Sequence, residues 1–208
     1  MSGRRAQAAR NDELILKAAR EVFIESPDAP VSEVAQRAGV GISALYKRFG
    51  SKEGMIATLC VNGLRTYVEV ARAAAEVDDP GEAFETFVTG IVDSDVHSLT
   101  VHLAGKFTPP DEVWPLVSES DELTTRILEA AQAAGVVRSD YHVNDVSMLF
   151  EQLAAIRLGD ADRVHELRRR YLAIHLDGLQ PRAKSDTLSG DPPSDEELGA
   201  RWALDSSP

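Results

Sequence analysis

Between Val31 and Lys52 the chain gathers small, apolar, hydroxyl and basic side chains whose spacing suits contact with a polyanionic duplex. Ile42, Leu45, Tyr46 and Phe49 keep helical spacing, so one side of that segment packs inward. Gly41, Ile42, Ser43, Ala44 and Lys47 then offer atoms outward. Ile42 and Ala44 suit apolar contact with thymine methyl groups, and the small residues at 41 and 43 permit close approach to base edges. Tyr46, Lys47, Arg48 and Lys52 present a hydroxyl and three cations suited to phosphate oxygens. Arg48 brings a planar fork that stays charged. Arg4, Arg5 and Arg10 upstream form an arm for phosphate or minor groove; a disordered basic terminus is the competing reading.

The elements that must position these groups are legible around them. Val31, Val34, Ala35 and Ala38 keep a three-to-four residue apolar spacing, and Gly39 supplies the left-handed residue that ends a helix. The spacing predicts two short helices at a sharp turn, the helix-turn-helix arrangement whose second helix enters the major groove. Upstream, Leu14, Ile15, Ala18, Ala19, Val22 and Phe23 form one stripe, with Asn11 as expected N-cap and a stop before Pro27. Pro30 suits the first turn of the following helix. Ser51-Lys-Glu-Gly54 opens a longer helix through Met55, Ile56, Leu59, Cys60, Leu64, Tyr67 and Val68.

Across residues 10–60 this pattern resembles the DNA-binding head of the tetracycline-repressor (TetR) family of one-component regulators. The resemblance rests on Ile15, Ala18-Ala19 and Phe23; on Val34-Ala35 and Ala38-Gly39-Val40; and on Leu45-Tyr46, Phe49 and Ser51-Lys52-Glu53. It implies a dimeric, all-α protein. A three-helix head over residues 1–54 would be followed by a helical ligand-binding and dimerisation domain over 55–180, in which a small apolar or amphipathic effector releases double-stranded DNA. Two positions depart from the family pattern. The family usually carries Thr-Thr before the second helix and often His two places after the recognition-helix Tyr, where this chain has Ala29-Pro30 and Arg48. A hydroxyl contact to phosphate is lost at Pro30.

Charge is divided unevenly along the 208 residues. The net charge is −12, yet residues 1–54 hold nine Lys/Arg against seven Asp/Glu, a balance of +2, leaving −14 on the remainder. A weakly basic head can neutralise phosphates while an acidic body discourages indiscriminate association with nucleic acid. No run of apolar residues is long enough to span a bilayer, and the start Met-Ser-Gly-Arg-Arg lacks a secretory core, so no membrane partner is expected and the cytoplasm is the expected compartment. The single Cys60 cannot form an internal disulfide and reads as a packing residue.

No catalytic constellation, cofactor motif or metal site is expected. His97 and His102 are five residues apart and diverge on a helix, and His165-Glu166 lacks a second ligating His. Gly39-Val-Gly41-Ile-Ser43 has neither the preceding strand nor the glycine spacing of a nucleotide loop.

Downstream, helices are predicted over 55–77, 81–104, 110–134, 143–158 and 160–179, punctuated by Pro109-Pro110, Gly135 and Gly159. Phe84, Phe87, Ile91, His97, Leu103, Phe107, Trp114, Ile127, Phe150 and Gln152 are the candidate ligand-binding residues; plain core packing accounts for aromatic residues at such spacing equally well. Val146, Leu149, Leu153, Leu167, Tyr171 and Ile174 are the candidate dimer interface on the last two helices, with protomer core as the alternative. Residues 181–208 have the composition of a disordered acidic tail, within which Ser194-Asp-Glu-Glu197 can cap a short helix. A second class of function fits the lost hydroxyls: a small-molecule binding or scaffold protein with a degenerate head.

Overall fold

The computed structural model describes the backbone over residues 2–103, 108–181 and 187–200, and side chains over 12–99, 108–181 and 187–200. Among the described residues every regular element is helical. The head consists of α1 (Ser2–Glu25), α2 (Val31–Ala38), α3 (Ile42–Phe49) and the start of α4 (Lys52–Ala75). The body adds α5 (Pro80–Ser94), α6 (Val96–Leu103), α7 (Val113–Ala133), α8 (Val143–Ala154) and α9 (Ala161–Leu179), with a short α10 (Asp195–Ala200) near the end.

In the head, Ile15, Val22, Phe23, Val34, Ala35, Leu45, Met55, Ile56 and Leu59 close one core. The turn between α2 and α3 forms because Gly39 adopts φ 67°, ψ 30°. Its amide donates to the Gln36 carbonyl at 3.2 Å, and the Val40 amide donates to the Ala35 carbonyl at 3.0 Å, satisfying orphan acceptors of α2. Gly50 turns the chain again at φ 77°, and Ser51 caps α4 by accepting from the Gly54 amide at 3.1 Å. Pro30 stands one residue earlier than expected, as the N-cap of α2 at φ −74°. Asn11 caps nothing: α1 runs through it from Ser2, because Arg, Ala and Gln dominate residues 4–10 and favour helix.

One helix serves both cores. Met55, Ile56 and Leu59 of α4 pack in the head, whereas Val68, Ala71 and Ala74 pack in the body with Phe84, Phe87, Ile91, Ile127, Leu149 and Phe150. A boundary drawn after Gly54 therefore falls inside a continuous helix. Leu99 of α6 also joins the head core, so the body reaches forward onto the head.

The predicted helix over 81–104 is broken. Asp95 takes the left-handed conformation at φ 50°, ending α5 and starting α6, with neither glycine nor proline to signal it. Aspartate is among the few residues that visit this region at low cost, since its short side chain can bond locally. The disorder expected over 181–208 does not hold for residues 187–200. Asn144 of α8 donates to the Pro193 carbonyl at 2.7 Å and to Asp195 Oδ1 at 2.9 Å, and the Leu188 amide donates to Asp140 Oδ2 at 2.9 Å. Ser194 and Glu197 cap α10 reciprocally, at 3.1 and 2.8 Å.

Candidate nucleic-acid interface and effector site

Helix α3 is anchored by Leu45 and Phe49 and otherwise turned outward. Leu45 is fully buried and Phe49 half-buried against the head core, while Gly41, Ser43, Ala44 and Lys47 are exposed. Ile42 and Tyr46, large and partly apolar, are 41% and 49% exposed, which a free-standing head would not favour. A Cβ placed on Gly41 would meet nothing within 4 Å, so its smallness answers no demand from its own chain. Together these outward positions form one continuous rod surface.

The flanking cations are less free than their sequence suggests. Arg48 Nε donates to Asp12 Oδ2 of α1 at 2.9 Å, and its guanidinium lies 5.9 Å from the Phe49 ring centre. Lys52 Nζ sits 5.4 Å from the Phe23 ring centre at the start of α4. Both remain beside the rod, but a phosphate reaching Arg48 competes with Asp12. The expected Arg10 contact, like those of Arg4 and Arg5, falls on side chains outside the described residues; their backbone belongs to α1.

In the body, three aromatic rings meet edge to face. Tyr67 of α4 lies 5.7 Å from Phe87 and 6.3 Å from Phe150, and Phe87 and Phe150 are 6.0 Å apart, with interplanar angles of 82–90°. Thr124 spends its proton on the Ser120 carbonyl at 2.7 Å, so the Tyr67 hydroxyl donates to Thr124 Oγ1, 2.9 Å away. Burial pushes the Tyr67 phenol above its ordinary range. His97 of α6 lies 5.0 Å from the Phe150 ring.

Beside this cluster is a cavity of about 10 Å³ lined by Ile91, Asp95, His97, Ser98, Phe150 and Arg168, among others. A second, of about 180 Å³, lies between the start of α5 and the end of α9, lined by Gly81, Phe84, Glu85, Val136, Val137, Leu176, Leu179 and Gln180. Of the predicted ligand residues, Ile91, His97 and Phe150 meet at the first cavity and Phe84 lines the second. Phe87 and Ile127 are body core. Trp114 is 53% exposed, and Gln152 is exposed because Leu149, Phe150 and Leu153 take the inward face of α8. Neither lines either cavity. Leu103 and Phe107 lie outside the described side chains.

The predicted interface divides likewise. Val146, Leu149, Leu153 and Leu167 are buried inside the protomer and have no surface left for a partner. Tyr171 and Ile174, one helical turn apart on α9, are 50% and 55% exposed. No three His, Cys, Asp or Glu residues among the described residues are grouped to hold a metal ion.

Sequence reasoning missed Asp95 and Arg168. Arg168 of α9 is 9% exposed and reaches Asp95 Oδ1 at 2.5 Å, while Arg20 of α1 reaches Asp95 Oδ2 at 3.0 Å. A signal was present for Arg168: it stands four residues before the buried Leu172, on the inward side of α9. Nothing at Asp95 separated it from its neighbours.

Comparison with known proteins agrees with this architecture. Residues 15–59 match the family model for bacterial regulatory proteins of the tetR family, and residues 79–181 match the C-terminal domain of SbtR-like transcriptional regulators. Among solved structures, a TetR transcription regulatory protein from Mycobacterium vanbaalenii is 28% identical with a TM-score of 0.56, over 85% of this chain and 99% of that one. The TetR regulator SCO0520 from Streptomyces coelicolor is 26% identical with a TM-score of 0.55, over 83% and 99%. PfmR from Thermus thermophilus shares the fold at 24% identity and a TM-score of 0.60, over 80% and 99%. No curated protein matches. With a helix-turn-helix head and a helical body each matched by a model of that family, the chain belongs to the TetR family of transcriptional regulators, which are not enzymes.

Proposed function

We propose that this chain is a homodimeric repressor that binds a palindromic operator and is released by a small apolar or amphipathic effector. The observation that carries the reading is the outward face of α3, where Ile42 and Tyr46 stand exposed beside Gly41, Ser43, Ala44 and Lys47. Ile42 and Ala44 meet base edges, Tyr46 and Lys47 hold phosphate, and Arg48 and Lys52 extend the backbone grip. Tyr171 and Ile174 are the surface of α9 that pairs with a second copy, setting two heads one DNA turn apart. No described helix is long and apolar enough to cross a membrane, and the cytoplasm is where this reading puts the protein. Titration of the full chain against duplex from the region upstream of its own coding sequence tests it. Salt-sensitive binding that prefers that duplex to a scrambled one supports the repressor, and equal binding to both contradicts it.

The Arg48–Asp12 pair and the proline before α2 favour the second reading, a small-molecule binding protein whose head no longer selects DNA. Ligand-induced stabilisation without duplex selectivity is its signature.

A further inference from the structure

Arg168 is a buried guanidinium with one nitrogen that finds no partner. Its Nη1 takes Asp95 Oδ1 at 2.5 Å, and its Nη2 donates to the carbonyls of Ala154 and Ile156 at 3.2 and 3.5 Å. Its Nε has no hydrogen-bond partner among the described residues, although the side chain is nine-tenths buried. Arg168 lines the cavity of about 10 Å³, whose other walls include Ile91, Val92, Phe150 and Leu153. The charges that face this place are Arg168, Asp95 and, behind Asp95, Arg20, with His97 and Ser98 adding polar atoms. Two guanidiniums share one carboxylate, which leaves a surplus positive charge over the three groups, part of it on Arg20, whose side chain is 31% exposed. Such a surplus is compensated best by an anion, and a planar fork matches a carboxylate.

We infer that the effector is an apolar monocarboxylate whose head group binds Arg168, and that it signals by competing with Asp95 for that guanidinium. The inference rests on the effector-released reading and names its ligand class. The cavity itself has room for about one water-sized group, so a carboxylate reaches Arg168 only by taking the place that Asp95 holds there. Asp95 is the physical link to the head. It ends α5 in the left-handed conformation, accepts Ser98 Oγ on one oxygen, and holds Arg20 of α1 through both its carboxylate and its carbonyl. What the ligand takes from Arg168 changes what Asp95 offers Arg20. Helix α1 also carries Asp12, which grips Arg48 beside the reading helix. Two sites that bias one shared group are coupled reciprocally.

The test uses the full chain with octanoate and 1-octanol as probes of equal length, one anionic and one neutral, read by thermal shift and by calorimetry. Octanoate is expected to bind at least about tenfold more tightly than the alcohol. Asp95→Asn removes the competitor and a repelling charge while keeping a residue that tolerates the left-handed conformation; it is expected to tighten octanoate binding several-fold. Arg168→Lys keeps the charge but loses the fork, and is expected to weaken it about tenfold. Equal binding of acid and alcohol overturns the inference, as does an Asp95→Asn variant that binds octanoate no more tightly than the parent. Duplex titration in the same buffers keeps the two readings apart. Selective DNA binding without carboxylate preference removes only this inference, whereas loss of duplex selectivity removes the regulator reading itself.

Discussion

Asp12 of α1 holds Arg48 of the reading helix by two contacts of 2.9 Å, one from Nε and one from Nη2, both to the same carboxylate oxygen. The pair spans 36 residues of sequence and ties the flank of α3 to the first helix. It also cancels a cation at the edge of the proposed DNA surface. Asp12→Asn therefore frees Arg48 for phosphate. Duplex affinity at low salt is expected to rise about three- to tenfold, and the slope of log affinity against log salt to steepen by roughly 0.9. Filter binding across a salt series checks both; an unchanged slope would mean that Arg48 never meets phosphate.

Ile174 and Tyr171 supply the exposed apolar face of α9, whereas the four leucine and valine side chains named for the same role are buried within the protomer. A charge placed on that face is desolvated only if the face is an interface. Ile174→Glu is expected to raise the dimer dissociation constant about 30-fold with little change in helicity. Sedimentation velocity over a dilution series measures it, and an unaltered dimer places the interface elsewhere.

Much of this was readable in the chain because its punctuation is local. Gly39 and Gly50 mark the ends of α2 and α3, and the stripe from Ile15 to Phe23 fixes which face of α1 is inward. What was not readable is what depends on distant partners. The break at Asp95 occurs without glycine because Arg20, 75 residues earlier, and Arg168, 73 residues later, converge on it. Arg168 looks like its neighbours Arg169 and Arg170 until Asp95 meets it, and Asn11 looks like a cap until the preceding residues prove helical. The tail docks through Asn144, a buried amide whose partners lie 49 and 51 residues away.

Cys60 packs at the edge of the head core, and burial pushes its thiol up to about 12. The thiolate is the reactive form, so at pH 8 the native protein should resist iodoacetamide for hours while the unfolded chain reacts within minutes. Mass spectrometry of both samples checks this; fast native alkylation would show that α4 opens from α1.

His175 Nε2 of α9 shares a hydrogen bond of 3.2 Å with the hydroxyl of Tyr141, and burial lowers the imidazole below its ordinary value of 6.5. The unfolded chain therefore binds this proton more readily than the folded one. The stabilisation from a neutral His175 is fully present above pH 6.5 and is lost as pH falls through the folded value. Between pH 7.5 and 5.5 the melting temperature of the parent should drop by roughly 2–4 °C more than that of His175→Gln. Parallel slopes for the two proteins would assign the acid sensitivity to other groups.

The central claim is that the exposed rod of α3 selects a duplex sequence. It is tested most directly by titrating the parent and Tyr46→Ala against duplex from the chain's own upstream region and against a scrambled duplex of equal length, at one fixed salt concentration. The account predicts at least ~1000-fold preference of the parent for its own region, with Tyr46→Ala losing about tenfold on that duplex. Indistinguishable curves for the two duplexes with the parent would contradict it.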